Sequence, residues 1–345
     1  MQTQWIKNLC GITLASCLWI PTASWAQNND PAKVTVAQIR VGAEKACANS
    51  GGKKYTIAYD HSTSEAAVVK QLKYFASQRA EKLGCVTMMY GNTMYGNLEQ
   101  QINALQGWIA LGIDAIVITP IDESALKPLQ KQAQAKGIKW LTYLGTMEGS
   151  DGYVGFDHAQ SAKIISQAAI DWVKTNNIQK PKAFITTLTA LPSLSPRWLE
   201  SEKLLKNAGI EVVAMQESAD QTSGMTVSET ILKQHPDLSI IIGLNDDAAM
   251  GAYRAVKIAG LNDPKRFFVG GQDGTFEGLS AINEGGAYRA SAAILMNDLG
   301  FNIVDLALGA ISGTGPSFGY TPTVLANKAD QALLERLLGN YGTYK

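Results

Sequence analysis

LSIIIGLNDDAAMGAYRAVKIAG at residues 238–260, followed by LNDPKRFFVGGQDG at 261–274, decides how the chain folds. The apolar run 238–244 reads as a strand buried on both faces. It ends at Asn245-Asp246-Asp247, and a helix pattern follows at once, with Ala248, Met250, Ala252 and Val256 at its small and apolar positions. Gly260 is a helix stop signal. A second apolar run, 267–271, delivers Asp273-Gly274. Two successive strands of a doubly wound sheet therefore each present a polar residue at the carboxyl end. In open α/β sheets, ligands bind in the crevice beyond those ends. Asn245 and Asp273 are accordingly candidate ligand contacts. The plainer reading is that Asn245 caps the helix and Asp273-Gly274 turns the chain.

The same rhythm runs outward in both directions. Toward the N-terminus, strand patterns at 55–59, 86–90, 115–119, 138–143, 153–156, 182–188 and 210–215 alternate with helix patterns at 64–84, 97–111, 124–136, 158–174, 197–208 and 225–234. Toward the C-terminus, helices are expected at 276–284, 297–308 and 329–338 and strands at 288–295 and 321–325, with 309–320 read as a Gly/Ser/Pro-rich loop. A short helix over 34–48 and a linker at 49–52 precede the first strand. Alternation of strands with helices of this length means parallel sheets with helices on both faces. About eleven strands suit two sheets of five or six better than one open sheet. The turn at 149–152 marks the boundary. The fold class is α/β, with two doubly wound parallel-sheet lobes and a cleft between them, a favoured place for a ligand.

The chain has 345 residues, with 30 basic against 30 acidic side chains, three His and four Cys. That balance leaves no electrostatic footprint for nucleic acid or an anionic membrane. No His/Cys pair has zinc-site spacing. Lys7, the apolar stretch 9–20, Pro21 and Ser24-Trp25-Ala26 read as an export signal cut before Gln27. A second reading exists, because Leu14-Ala15-Ser16-Cys17 resembles a bacterial lipobox that would anchor Cys17 to lipid. No later apolar run reaches the ~18 residues needed to span a bilayer. Soluble export leaves Cys47 and Cys85, which in an oxidising compartment form a disulfide or stay two separate thiols. Spacing alone leaves both open.

Catalytic patterns are missing. The chain has no H-E-x-x-H, P-loop or G-x-G-x-x-G, and no G-x-S-x-G elbow, since Gly315-Pro316-Ser317-Phe318-Gly319 spells that pattern inside the Gly/Ser/Pro-rich loop rather than at a strand-to-helix turn. Asp60-His61-Ser62 holds the residue types of a triad, but adjacency is not triad geometry. Asp246-Asp247 could bind a metal, yet acids at a helix N-terminus ordinarily serve its dipole. The expectation is a protein that is not an enzyme, with no cofactor and no metal.

LNDDAAMGAYRAVKIAG followed by FFVGGQDGTFEGLSAINEGGAYRASAA resembles the periplasmic sugar-binding proteins of the ribose-binding type. TIAYDHSTS at the first strand, the run from Gly112 to Pro120, and Gly155-Phe156-Asp157 add to the likeness, which spans roughly residue 54 onward. The resemblance implies two α/β lobes joined by three crossovers, with return to the first lobe near Leu295 and the last crossing near Thr321. Ahead of the resembling region stand the signal peptide read at 1–26 and an extension at 27–53. A first lobe would comprise 54–156 and 295–322, and a second 157–294 and 323–345. The resemblance implies a monomer that closes by hinge bending on a small polyhydroxylated ligand in the periplasm. That ligand would pass to a membrane ABC permease; alternatively, the protein would dock on a sensor kinase or chemoreceptor.

Carried over residue by residue, Asn245 and Asp273 match positions that hydrogen-bond sugar hydroxyls. Arg197 matches an arginine opening the second lobe's binding helix, and Ser62 a serine ending the first strand. Tyr143 falls where the family often has an acid or amide. The chemistry agrees, since planar Asn, Asp and Arg groups meet paired hydroxyls bidentately. The family's aromatic pair after the first strand is Val68-Val69 here, its glutamine near the third crossover is Ile294, and its Asp-Arg is Tyr143-Leu144. His61, Tyr143, Trp198 and Tyr90 are the candidates to supply an aromatic face instead. The plainer reading of Trp198 is core packing, and of Tyr90 a buried strand residue. Residues 153–159, Met296-Asn297-Asp298, Val324 and Lys328-Ala329-Asp330 resemble the quorum-sensing autoinducer-binding branch, which signals through a sensor kinase. Repressors of the lactose type share the fold, but an export signal stands where their DNA-binding module would be.

Overall fold

The structure is a computed structural model that describes residues 33–94, 96–342 and 344. The export signal, its cut before Gln27 and the Cys17 alternative lie outside the described residues. The chain opens with α1 (Val36–Ala48), started by a capping box between Thr35 and Gln38. There follow β1 (Tyr55–Asp60), α2 (Ala67–Leu83), β2 (Val86–Tyr90), α3 (Leu98–Leu111), β3 (Ala115–Ile118), α4 (Glu123–Ala135), β4 (Lys139–Tyr143) and β5 (Gly152–Gly155). Next come α5 (His158–Thr175), β6 (Lys182–Thr187), α6 (Pro196–Asn207), β7 (Glu211–Glu217), α7 (Gln221–Gln234), β8 (Ile240–Ile242), α8 (Asp246–Ile258), β9 (Phe268–Asp273), α9 (Phe276–Glu284) and β10 (Tyr288–Ile294). The chain finishes with α10 (Met296–Ser312), β11 (Phe318–Tyr320), β12 (Thr323–Asn327) and α11 (Gln331–Asn340).

Two six-stranded sheets form, in the orders β11-β5-β4-β3-β1-β2 and β12-β10-β9-β8-β6-β7. All pairs are parallel except β10 with β12. Central strands such as β3, β8 and β9 are buried along their whole length, as parallel strands covered on both faces must be. The chain changes sheet after β5, after β10 and after β11. These three crossings are laced together: the Thr321 amide donates to the Gly155 carbonyl at 2.7 Å, and the Leu295 amide to the Pro322 carbonyl at 3.1 Å. The Asn302 amide donates to Thr321 Oγ1 at 2.9 Å.

One expectation needs correction. The segment 309–320 is not a plain loop: α10 continues to Ser312, and Phe318–Tyr320 pairs with β5 as an edge strand. Gly and Ser suppress the local strand signal, and only the partner strand supplies the missing pairing.

Helix α1 packs on α10. Arg40 reaches Asp305 at 2.7 Å, and Arg79 of α2 meets the same carboxylate at 2.9 Å. Asp305 and Arg79 are almost wholly enclosed, so three helices are held by charges that solvent barely reaches. A disulfide joins Cys47, at the end of α1, to Cys85 before β2, with Cα atoms 5.6 Å apart and a sequence separation of 38. Its main effect is to restrict the unfolded chain. Replacing both cysteines by serine is expected to cost about 2–4 kcal/mol, read as a lower urea midpoint with a steeper slope, since the unfolded chain without the bridge exposes more surface. An unchanged midpoint would show that the bridge adds nothing to α1 docking.

Candidate functional site

A cleft of about 830 Å³ lies between the lobes. Its walls come from the carboxyl ends of strands: His61 and Thr63 after β1, Leu188 and Leu191 after β6, Ser218 after β7, Asn245 after β8 and Asp273 at the end of β9. Parallel strands deliver all these ends to one edge.

Arg197 stands at the centre of the second lobe's wall. It opens α6, directly after a tight turn at Pro192–Leu194, and only 3% of it is exposed. Its Nη1 donates to Asp273 Oδ1 at 2.8 Å and to the Leu244 carbonyl at 2.9 Å. Its Nε donates to His158 Nδ1 at 3.2 Å, and its guanidinium sits 4.9 Å from the centre of the Phe156 ring. These bonds use Nη1 and Nε of a five-donor fork, which leaves the Nη2 donors for another acceptor.

Asp273 is held at φ 122, and Gly274 after it at φ 75. The first is a conformation that L residues rarely adopt, at a cost of about 1–3 kcal/mol. A Cβ on Gly274 would come within 2.5 Å of Ala293, so the turn also needs glycine for space. Burial pushes the Asp273 carboxyl up to about 6, against the pull of Arg197. Behind it, buried Asp246 accepts from the Thr275 amide at 2.7 Å, Thr275 Oγ1 at 3.1 Å, Tyr288 Oη at 2.8 Å and Ser291 Oγ at 2.8 Å. Burial, with Asp273 adding to it, pushes Asp246 up to about 7, while its donors favour the carboxylate. Asp246 thus fastens the β9 turn to β10. Neighbouring Asp247 takes a bond from Gln221 at 3.2 Å and one across the cleft from the Ala67 amide at 3.4 Å.

Asn245 lines the cleft and also caps α8. Its Oδ1 accepts from the Ala248 amide at 2.8 Å and its Nδ2 donates to the Ala219 carbonyl at 2.8 Å. Each of these atoms can make one more bond. His61 lines the cleft from the other lobe. Its Nδ1 accepts from the Thr63 amide at 3.1 Å, which puts its proton on Nε2. Burial, with Lys73 nearby, lowers its pKa to about 3, so the ring is neutral.

His61, Arg197, Asn245 and Asp273 therefore share one cleft. Ser62 and Tyr143 do not line it. Ser62 is fully enclosed, its hydroxyl without a partner. Tyr143 is buried behind the wall, its ring 5.6 Å from His61 and 5.9 Å from Tyr59. Trp198 packs in the second lobe's core. Tyr90 lies at the first lobe's edge, its hydroxyl donating to the Lys73 carbonyl at 2.9 Å. His158, to which sequence reading gave no role, orients Arg197. Its pKa is lowered to about 3, by burial and then by Arg197, so a neutral ring accepts the guanidinium's bond. Its place three residues past the end of β5 was visible in sequence, but its partner was not. Among the described residues no group of three or more His, Cys, Asp or Glu is placed to hold a metal ion.

Residues 61–315 match the family model described as periplasmic binding protein domain, and the chain belongs to that family. It is 26% identical over 242 residues to the ribose import binding protein RbsB of Bacillus subtilis, covering 68% of this chain and 75% of that one. In three dimensions it resembles an ABC transporter solute binding protein from Bacillus halodurans with bound myo-inositol: the TM-score is 0.73 at 19% identity, over 85% of this chain and all of that one. A periplasmic solute binding protein from Actinobacillus succinogenes with bound D-allose gives a TM-score of 0.73 at 21% identity, over 81% of this chain and 100% of that one. These likenesses carry the two-lobe fold.

Asp246 and Asp273 hold protons more tightly in the fold than at the ordinary carboxyl value of 3.8. Their contribution to stability is thus whole below about pH 4 and lost as pH rises through about 6 and about 7. His61 and His158 act in the opposite sense: their contribution is whole above the ordinary value of 6.5 and lost as pH falls toward about 3. Comparing variants separates the two. Asp246→Asn is expected to raise the urea midpoint relative to that of the parent chain progressively between about pH 4 and about pH 7, the range over which Asp246 loses its proton. A parallel pair of profiles would mean that Asp246 does not titrate there.

Proposed function

We propose that this protein captures a small sugar or polyol in the interlobe cleft and delivers it, without turnover, to a membrane ABC permease. The observation that carries the reading is the Arg197–Asp273 pair at 2.8 Å, a fixed donor beside a fixed acceptor in the wall. A sugar hydroxyl both donates and accepts, so adjacent hydroxyls match such a pair. Asn245 and the Nε2–H of His61 add hydrogen-bonding groups from two more loops. Ser62 and Tyr143 serve the same site from behind, supporting the β1 and β4 ends. The names of the relatives support the ligand class: one is a ribose import binding protein, and two structural neighbours hold myo-inositol and D-allose.

Charge narrows the class. Glu65, Glu217, Asp220, Asp247, Asp273 and Glu277 line the cleft, against Lys70 and Arg197. A surplus of carboxylates repels anions, which disfavours sugar phosphates and uronates. The protein is read as a monomer in the periplasm, released by cleavage before Gln27. The crossings between the sheets act as the hinge, and ligand shifts the open–closed equilibrium toward the form its partner recognises. A second partner is favoured by one observation. The segment 153–159, which resembles the autoinducer-binding branch, places Phe156 and His158 against Arg197. On that reading the closed form is sensed by a kinase's periplasmic domain.

Titration calorimetry of the chain from Gln27 against pentoses, hexoses, inositols and their phosphates tests this. A neutral sugar or polyol is expected to bind and its phosphate to bind far more weakly. Arg197→Ala is expected to weaken the bound sugar by about 1.5–3 kcal/mol, with Arg197→Lys as a charge-preserving control for folding. Unchanged affinity in folded Arg197→Ala protein would remove Arg197 from the site.

A further inference from the structure

The cleft has few rings to lay against a sugar. Tyr143, Trp198 and Tyr90 are not in its lining, and the positions expected to carry an aromatic pair hold Val68 and Val69. A ring nevertheless reaches the cleft from a distant part of the chain. After α11, which packs on α9 and β12 of the second lobe, the chain turns at Tyr341. That residue is 2% exposed, its hydroxyl donates to the Gly274 carbonyl at 2.5 Å, and its ring lies 5.5 Å from Phe75 of the first lobe. The Tyr344 amide then donates to the Tyr341 carbonyl at 2.8 Å, which directs Tyr344 back over the cleft. Its ring lies 5.3 Å from Tyr74 of α2 in the first lobe and 6.0 Å from Tyr341.

Tyr344 lines the cleft and also a neighbouring cavity of about 500 Å³ between α8 and α9; Glu277 is likewise common to both. The ring is therefore part of the partition between the two spaces. Beneath it the lobes touch through buried Gln71, whose Nε2 donates to Glu277 at 3.1 Å while its Oε1 has no partner. Burial raises the Tyr344 phenol's pKa, Glu277 and Asp247 add to this, and Gln71 opposes them. The hydroxyl is therefore neutral at physiological pH.

We infer that Tyr344 is the aromatic wall of the ligand cleft, covering the apolar face of the bound ring, and that it bridges the lobes through Tyr74. The ligand class rests on the function proposed above; the bridge does not. An aromatic face on a ring is a directional contact. It is supplied here from the second lobe's last turn rather than from the first strand.

The test uses the full chain from Gln27, with D-ribose, D-allose and myo-inositol as probes. For whichever probe binds the parent chain, Tyr344→Ala is expected to weaken affinity about tenfold and Tyr344→Phe to stay within about threefold, since the face and not the hydroxyl is used. Equal affinity in Tyr344→Ala overturns the wall, as does an equal loss in Tyr344→Phe. Small-angle scattering of the ligand-free proteins tests the bridge: Tyr344→Ala and Tyr74→Ala are each expected to have a larger radius of gyration than the parent chain, and unchanged values overturn it. If no probe binds the parent chain, the sugar reading fails, and scattering alone decides the role of Tyr344.

Discussion

Parallel strands run in one direction, so all their carboxyl ends emerge along one edge, and every return must cross a face of the sheet. The architecture depends on this constraint. It demands a helix between most successive strands, buries strands such as β3 and β9 on both faces, and gathers the strand-ending loops of each sheet. With two such sheets edge to edge, those loops line one cleft. The antiparallel pair β10–β12 marks where the chain, returning from the first lobe, enters the second sheet with its direction reversed.

A cleft made of loop ends still needs its polar groups aimed. Here the aiming follows from burying a guanidinium. Arg197, taken almost wholly out of water, must find partners. It finds Asp273 and the Leu244 carbonyl at the strand ends, and His158 and Phe156 at the crossing between the sheets. Asp273 is held in a strained conformation, and Asp246 behind it ties the same turn to β10 through the hydroxyls of Tyr288 and Ser291. The wall is thus ordered before any ligand arrives, which lowers the entropy lost on binding. The first lobe contributes fewer fixed groups, His61 and the start of α2, and meets the second through Asp247, Gln71 and the rings around Tyr341.

Much of the layered order was legible in sequence, and particular residues show why. Period and punctuation in 238–274 place β8, α8 and β9 in order, because a strand buried on both faces leaves an uninterrupted apolar run. Asn245 illustrates both expectations at once: it caps α8 and it lines the cleft. Ser62 and Tyr143 sit one layer behind the surface, since which side of a strand end faces a cleft depends on the twist of the sheet rather than on residue type. The strand at Phe318–Tyr320 has no signal of its own and exists through β5.

The sequence by itself determined the two α/β lobes, the order of most elements and the loops from which a site could be built. Hydrophobic period, helix caps and glycine stops are local properties, and the chain carries them wherever it goes. Tertiary structure alone decided that Cys47 meets Cys85, that His158 turns toward Arg197 and that Tyr344 reaches Tyr74. These pairs are brought together by strand order and by the crossings between sheets. Contacts between residues far apart in sequence depend on the position of every element between them, which no local pattern encodes.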